Sequence, residues 1–106
     1  MGKFIVTGVD GNFGNYVATH IEKLTSKENL IFTCPFEDGL KQWQEKGYDC
    51  RVANFNHREG LEEAFAGGDA ILIISSPFVG VKRRNAHKNA VDAAIKAGVK
   101  KSYILH

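Results

Sequence analysis

The sequence has little net charge and no long hydrophobic run, and each shortage excludes a class of protein. No apolar segment approaches the roughly 20 residues that a transmembrane helix requires. No leader segment precedes the first strand-like residues, so we expect neither a membrane protein nor a secreted one. The 14 basic and 12 acidic residues leave a net charge of +2, which is too small to indicate nucleic acid or an anionic membrane as a partner. We therefore expect a cytoplasmic protein with neither partner.

The sequence also lacks the cysteine and histidine spacing of a redox or metal-binding motif. Its 2 cysteines, Cys34 and Cys50, form no C-x-x-C pair, and we expect both to be reduced. Its 4 histidines show neither an H-x-x-x-H pattern nor a Cys/His ligand pattern. The sequence therefore predicts no metal site.

What the sequence does contain is a regular alternation of strand-like and helical segments over 106 residues. Apolar runs predict strands at 4–6, 30–34, 48–53, 70–74 and 102–105. Helical spacing and capping residues predict helices at 12–25, 40–44, 56–65 and 86–97. The run at 70–74 does not alternate, which indicates a central strand buried on both faces. We predict one α/β domain over 1–106: a Rossmann-type doubly wound parallel sheet in the order 3-2-1-4-5, truncated after strand 5.

A glycine cluster, T-G-V-D-G-N-F-G at residues 7–14, joins the first strand to the first helix. Sheets of this type bind ligands at the carboxyl ends of the strands, where the strand order reverses between strands 1 and 4. Gly8 would allow the turn, Gly11 the approach of a phosphate, and Gly14 close packing of the helix. The N–H groups around Gly11, Asn12 and Phe13 would then face a pyrophosphate. The alternative is a purely structural glycine turn.

Residues 7–14 resemble the T-G-A-T-G-x-x-G signature of the extended and atypical short-chain dehydrogenases/reductases. Downstream, I-I-S-S at 73–76, H-K-N-A-V at 87–91 and A-A-I-K-A-G-V-K at 93–100 resemble the NmrA-like branch, and within it the NAD(P)H:quinone oxidoreductases. The resemblance covers essentially all of the chain but only the N-terminal half or less of a usual family member. It implies NAD or NADP as the cofactor, with the preference undecided.

The resemblance also implies a role for particular residues. Those implied to hold the pyrophosphate are Gly8, Gly11, Asn12, Phe13 and Gly14. Those implied to line the nicotinamide-ribose side are Ser75, Ser76 and Pro77. Asn54 stands where the family usually has an Asp bonded to the adenine amino group, and an Asn carbonyl can accept the same bond. The alternative for Asn54 is a turn residue before a helix cap at Asn56.

Two positions that bear on the cofactor depart from the family pattern. Asp10 replaces a small or hydroxyl residue, which places a carboxylate near the phosphates unless the side chain caps helix 1. The residue after strand 2 normally selects the cofactor, because an acid binds the ribose 2′-OH and an Arg favours a 2′-phosphate. Pro35 and Phe36 occupy that place, and Glu37 and Asp38 come slightly late.

Three other features leave alternatives open. Phe36 either packs helix 2 on the sheet together with Trp43, or stacks on adenine. Lys82, Arg83 and Arg84 form either a solvated loop before helix 4 or a loop that contacts phosphate. The Tyr-x-x-x-Lys motif of the wider superfamily is absent, and the sequence assigns no catalytic residue.

Two classes of function are compatible with these features. The first is an oxidoreductase, or its cofactor-binding part, that holds NAD(P)H for hydride transfer to a quinone-like acceptor. The second is a non-catalytic dinucleotide-binding module that senses redox state. The open edge expected at strand 5 predicts a homodimer formed through that region.

Overall fold

The computed structural model of the chain describes residues 3–55, 60–74 and 81–105, and its centre is a parallel sheet. The five strands of this sheet are β1 (Lys3–Val6), β2 (Leu30–Cys34), β3 (Asp49–Val52), β4 (Gly68–Ile74) and β5 (Lys101–Leu105). Every neighbouring pair is parallel, and the order is β3-β2-β1-β4-β5. The predicted sheet and its order are therefore confirmed.

Helices cover both faces of the sheet. They are α1 (Asn12–Ile21), α2 (Lys41–Glu45), α3 (Leu61–Ala64) and α4 (Val81–Lys96). Successive residues of a strand point to opposite faces, so Ile5 joins the core with α3 and α4, and Val6 joins the core with α1 and α2. The chain thus builds a Rossmann-like fold with two hydrophobic layers. No helix within the described residues has the length and apolar character of a membrane span.

An aromatic cluster fixes α2 against β2 and the start of β3. The indole of Trp43 is buried, and its ring centroid lies 4.8 Å from that of Phe32 in an edge-on arrangement. The ring of Tyr48 stacks on Phe32 at 4.7 Å, and its hydroxyl donates a hydrogen bond to Glu22 Oε2 at 2.8 Å. Such pairs stabilise a core beyond the area that they bury. The prediction that Trp43 packs α2 on the sheet is confirmed.

Charged side chains join the strands at the amino edge, the edge of the sheet where all five strands begin. Arg51 donates to both carboxylate oxygens of Asp49, at 3.3 and 3.0 Å, and to the carbonyl oxygens of Ala64 and Ala66, at 3.1 and 2.5 Å. Lys3 Nζ lies 3.9 Å from Asp49 Oδ2. The amino edge therefore links β1, β3 and the residues at the end of α3 through charge-assisted contacts.

The first helix ends earlier than predicted. After Ile21 the backbone forms the i→i+3 hydrogen bonds of a 3-10 turn. Lys23 N–H donates to the carbonyl of His20 at 3.2 Å, and Leu24 N–H donates to that of Ile21 at 3.0 Å. Leu24 is consequently 83% exposed. The buried residues of α1 are Gly14 and Ala18. Because both are small, the helix can approach the sheet closely.

The fourth helix begins earlier than predicted, at Val81 rather than at residue 86. Lys82, Arg83 and Arg84 therefore belong to the first turns of α4, and their prediction as a loop is wrong. Residues 81–85 contain no glycine or proline, and Lys and Arg are good helix formers. A helix over these residues is consistent with their intrinsic propensity, although none of them is apolar except Val81.

Candidate functional site

The reversal of strand order places β1 beside both β2 and β4. The chain leaves β1 toward α1 on one face of the sheet and leaves β4 toward α4 on the other face. Sheets with this strand order bind ligands in a crevice at the carboxyl edge, the edge where the strands end, between the two strands at which the order reverses. Residues 7–14 form one side of this crevice.

Thr7 joins β1 to β4 by hydrogen bonds at the carboxyl edge of the sheet. Its buried hydroxyl donates a hydrogen bond to the carbonyl oxygen of Leu72 at 2.8 Å and accepts one from Ile74 N–H at 3.1 Å. Its own N–H donates to the same Leu72 carbonyl at 3.2 Å. The side chain therefore continues the hydrogen-bond ladder past the last residue of β1. Sequence reasoning counted Thr7 only as part of a motif, although a hydroxyl residue between an apolar strand and a glycine is a signal for such a bond.

The glycine loop is a compact turn that starts α1 at the crevice. Gly8 has φ +66°, a conformation that L side chains rarely adopt, and its carbonyl accepts a hydrogen bond from Gly11 N–H at 3.1 Å. A side chain at Gly14 would overlap the carbonyl group of Gly8. The predicted turn role of Gly8 and the packing role of Gly14 are consistent with this geometry.

Gly11 differs from Gly8 and Gly14 because the space around it is open. It precedes α1 in an extended conformation, with φ −80° and ψ 164°, and an added Cβ would meet only the Gly8 carbonyl oxygen, at 3.6 Å. Gly11, Asn12 and Phe13 are all exposed, and the first N–H groups of a helix have no partner within that helix. This opening, with a helix N-terminus behind it, has the shape and polarity that a phosphate requires.

A second anchor ties the loop to β2. Val9 is buried, and its N–H donates a hydrogen bond to the carbonyl oxygen of Thr33 at 3.1 Å. The Thr33 hydroxyl is itself buried and has no hydrogen-bond partner among the described residues. Thr7 and Val9 together hold the loop to the strands on both sides of β1.

The side chain of Asp10 does not cap α1 but lies beside Gly39, in the segment that follows β2. The N-cap of α1 is Gly11, and no side-chain hydrogen bond caps this helix, so the capping alternative for Asp10 is wrong. A Cβ added at Gly39 would lie 2.6 Å from Asp10 Cβ and 2.9 Å from Cys34 Sγ. The carboxylate-bearing side chain therefore lies beside the carboxyl end of β2.

The thiol of Cys34 occupies the same corner. It donates a hydrogen bond to the carbonyl oxygen of Phe36 at 2.8 Å. Burial raises the pKa of this thiol, and the nearby Asp10 carboxylate raises it further. Burial and the carboxylate of Asp49 likewise raise the pKa of Cys50, to about 11. Both thiols therefore remain protonated at neutral pH, which makes them poor nucleophiles.

Phe36 stands away from the core. Its ring is 67% exposed, so the alternative that it packs α2 on the sheet is wrong. It precedes a 3-10 turn, Glu37–Leu40, whose first two residues are exposed acids. Asp38 pairs with Lys41, the first residue of α2, whose Nζ lies 3.4 Å from Asp38 Oδ1. An exposed aromatic ring at the end of β2 remains compatible with stacking on a base.

The remaining predicted site residues lie further along the carboxyl edge. Ala53 N–H donates to the Cys34 carbonyl at 2.9 Å, which places the half-buried Asn54 directly beyond the paired end of β3. Asn89 of α4 donates through Nδ2 to the carbonyl oxygen of Phe55 at 2.9 Å and so holds this segment. Sequence reasoning did not find that role of Asn89.

The structure gathers the loop residues Gly8 to Gly14 at the end of β1, whereas Asn54 lies two strands away at the end of β3. Ser75, Ser76 and Pro77 directly follow the last residue of β4 but lie outside the described residues. Within the described part of the chain, no three His, Cys, Asp or Glu side chains are placed to share a metal ion.

Comparisons with known proteins bear on the fold and on the resemblance. No protein-family model matches the chain. The chain is 30% identical over 95 residues to quinone oxidoreductase 2 of Escherichia coli, which corresponds to 90% of this chain and 33% of that protein. The chain therefore spans about a third of the length of this relative.

Solved structures match over nearly the whole chain. Triphenylmethane reductase from Citrobacter sp. superimposes with a TM-score of 0.91 at 30% identity, covering 96% of this chain and 36% of that one. The NADPH complex of the E. coli NADPH-dependent quinone oxidoreductase matches with a TM-score of 0.88 at 28% identity, covering 95% of this chain and 35% of that one. The matches confirm the Rossmann-like fold and the resemblance to quinone oxidoreductases over the matched part.

Proposed function

We propose that residues 1–106 form a single NAD(P)-binding unit that resembles the cofactor-binding part of an NAD(P)H-dependent quinone oxidoreductase. The observation that carries this proposal is the open space over Gly11, at the N-terminus of α1 and in a loop held by Thr7 and Val9. Two matched reductases were solved with bound NADP(H) or NADPH, which supports the choice of a dinucleotide.

In this proposal, different residues contact different parts of the dinucleotide. The N–H groups of Asn12 and Phe13 bind the pyrophosphate, Gly11 leaves room for it, and Gly8 and Gly14 give the loop its shape. Toward the adenosine, the ring of Phe36 stacks on the base and the side chain of Asn54 bonds to its amino group. Toward the nicotinamide ribose, the contacts come from Ser75, Ser76 and Pro77.

The bound dinucleotide would supply a hydride, and the chain would bind and orient it. We propose a quinone-like molecule as the hydride acceptor, from the homology to quinone oxidoreductase 2. Efficient transfer also requires a positioned acceptor and exclusion of water. The purified 106-residue chain should therefore bind the cofactor but turn over NAD(P)H with a quinone negligibly, and robust steady-state turnover would contradict this expectation.

Replacement of Gly11 tests the site directly. The extended conformation and open surroundings of Gly11 accommodate Val in the folded protein, but the added side chain would occupy the phosphate position. Gly11→Val should therefore keep the far-UV circular dichroism of the native chain and lose NADH and NADPH binding in calorimetric titrations. Ala66→Val, which adds a similar side chain at an exposed turn, should bind normally. Unchanged affinity in folded Gly11→Val would refute the site.

We further propose that the chain forms a homodimer through β5. Within the described residues β5 pairs only with β4, and Tyr103 and Ile104 are 49% and 40% exposed. Open edges pair readily, and two-fold dimers are the commonest oligomers. Sedimentation equilibrium should show a dimer that Ile104→Lys dissociates and Leu24→Lys does not. A native chain that stays monomeric at high micromolar concentration would contradict the proposal.

We propose a cytoplasmic location, supported by the two cysteines, which are free, and by the buried, protonated thiol of Cys34. Fractionation of the native host should recover the chain with the cytoplasmic markers. Recovery with a secreted or membrane fraction would contradict this location.

A further inference from the structure

The corner between the glycine loop and the end of β2 carries negative charge and no cation that contacts Asp10 among the described side chains. Asp10 comes from the loop, and Glu37 and Asp38 come from the turn after β2. Lys41, the first residue of α2 after this turn, pairs with Asp38 at 3.4 Å. In folds of this type the end of β2 is where an acid binds the 2′-OH of the adenosine ribose, or an Arg binds a 2′-phosphate.

The residues that normally make this choice are replaced here by Pro35 and Phe36, which carry no charge. Asp10 reaches the same corner from the other side, because its Cβ and Cγ lie over Gly39 and close to the Cys34 thiol. Gly39 provides the room, since a Cβ there would overlap Asp10. Asp10 is exposed and its side chain does not cap α1, so its carboxylate is accessible to a ligand.

We propose that Asp10 is the specificity-determining residue of this site and that it selects NAD(H) over NADP(H). Its carboxylate accepts a hydrogen bond from the ribose 2′-OH of NAD(H) and repels the 2′-phosphate of NADP(H). This inference rests on the proposed dinucleotide site and deepens it. It also separates this chain from the matched reductases that were solved with NADP(H) or NADPH.

The expected size of the preference follows from the exposure of Asp10. A phosphate monoester carries about 1.5 to 2 negative charges at neutral pH, and an exposed carboxylate at close range opposes each unit of charge by about 1 kcal/mol. We therefore expect the native chain to bind NADH more tightly than NADPH by about tenfold or more. Low salt should enlarge this difference, because screening is weaker.

The experiment is a calorimetric titration of the purified chain with NADH, NADPH, adenosine 5′-monophosphate and adenosine 2′,5′-bisphosphate. The last two ligands isolate the effect of the 2′-phosphate from contacts to the nicotinamide half. Asp10→Asn should bring the two dinucleotides to within roughly threefold of each other, mainly by tightening NADPH. The matched control is Glu28→Gln, which removes the same charge from the turn before β2, at the amino edge, and should leave the preference unchanged.

The outcomes separate the inference from the proposed function. Equal or tighter binding of NADPH by the native chain would overturn the inference and leave the dinucleotide site intact. A preference for NADH that persists in folded Asp10→Asn would overturn the role of Asp10. Failure of both dinucleotides to bind would overturn the proposed function itself.

Discussion

The two edges of the sheet are built from different interactions. At the amino edge, Arg51 contacts Asp49 and two backbone carbonyls, and Lys3 also approaches Asp49. At the carboxyl edge, no ion pair joins two strands within the described residues, and the Thr7 hydroxyl and backbone groups hold the strands together. The carboxylate of Asp49 is thus paired with Arg51 and Lys3 at the edge that stabilises the fold. The carboxylate of Asp10 has no ion pair within the described residues, and it lies at the edge where we propose that a ligand binds.

The largest expected effect comes from a glycine at the carboxyl edge. In Gly14→Ala the new methyl group would overlap the carbonyl of Gly8, so α1 must move away from the sheet. We expect the free energy of unfolding to fall by about 3 kcal/mol, as measured by urea denaturation. Gly11→Ala, where the space is open, should change it little. Equal stability of Gly14→Ala and the native chain would mean that the close packing of α1 is unimportant.

The next effect concerns Arg51 at the amino edge. Arg51→Met leaves the carbonyls of Ala64 and Ala66 and the carboxylate of Asp49 without their charged donor. The free energy of unfolding should fall by about 2 kcal/mol in urea denaturation, while dinucleotide affinity stays unchanged. Lys41→Met, which breaks an exposed pair, should cost less than about 0.5 kcal/mol. A loss of affinity in Arg51→Met would show that the two edges are coupled.

A third variant should change binding without changing stability. Phe36 is largely exposed, so Phe36→Ala should leave the urea midpoint in place. If the ring stacks on adenine, the affinity for NADH should fall by about 1–3 kcal/mol in calorimetric titrations. Leu24→Ala, which removes another exposed apolar side chain, should bind normally. Native affinity in Phe36→Ala would eliminate the stacking role.

The smallest expected effect is a pH dependence at the amino edge. Burial and the hydrogen bond to Glu22 raise the pKa of Tyr48 to about 12, whereas an unfolded chain has a tyrosine pKa of about 10. The folded state therefore favours the neutral phenol. This contribution to stability is complete below about pH 10 and is lost as the pH rises toward 12.

Urea denaturation at pH 8, 10 and 11.5 measures this contribution. The native chain should lose more stability across the series than Tyr48→Phe, which has no phenol to ionise at this position. Identical pH profiles of the two proteins would contradict the assignment of the raised pKa to Tyr48.

The fold was more predictable than the details of the site. Continuous apolar runs such as Ile71–Ile73 identify buried parallel strands, and alternation with helices leaves few ways to order them. The end of α1 was missed because Leu24 continues the helical spacing although the backbone has already tightened. The start of α4 was missed because Lys82, Arg83 and Arg84 carry no apolar periodicity.

Site residues in turns were the hardest to place from the sequence. The direction of the Asp10 side chain depends on the room beside Gly39, which lies 29 positions further along the chain. The exposure of Phe36 depends on how the 3-10 turn leaves β2. Both are tertiary properties that local patterns do not encode, whereas the turn at Gly8 and the close approach at Gly14 follow from the motif itself.

The two hydrogen bonds of the Thr7 hydroxyl have a spectroscopic consequence. The amide proton of Ile74 belongs to the last residue of β4, a place where strand amides usually exchange readily with solvent. Because this proton is donated to a buried hydroxyl, its exchange with deuterium should be slow and should accelerate in Thr7→Val. The Ile74 amide resonance thus reports whether the Thr7 side chain still joins β1 to β4 at the carboxyl edge.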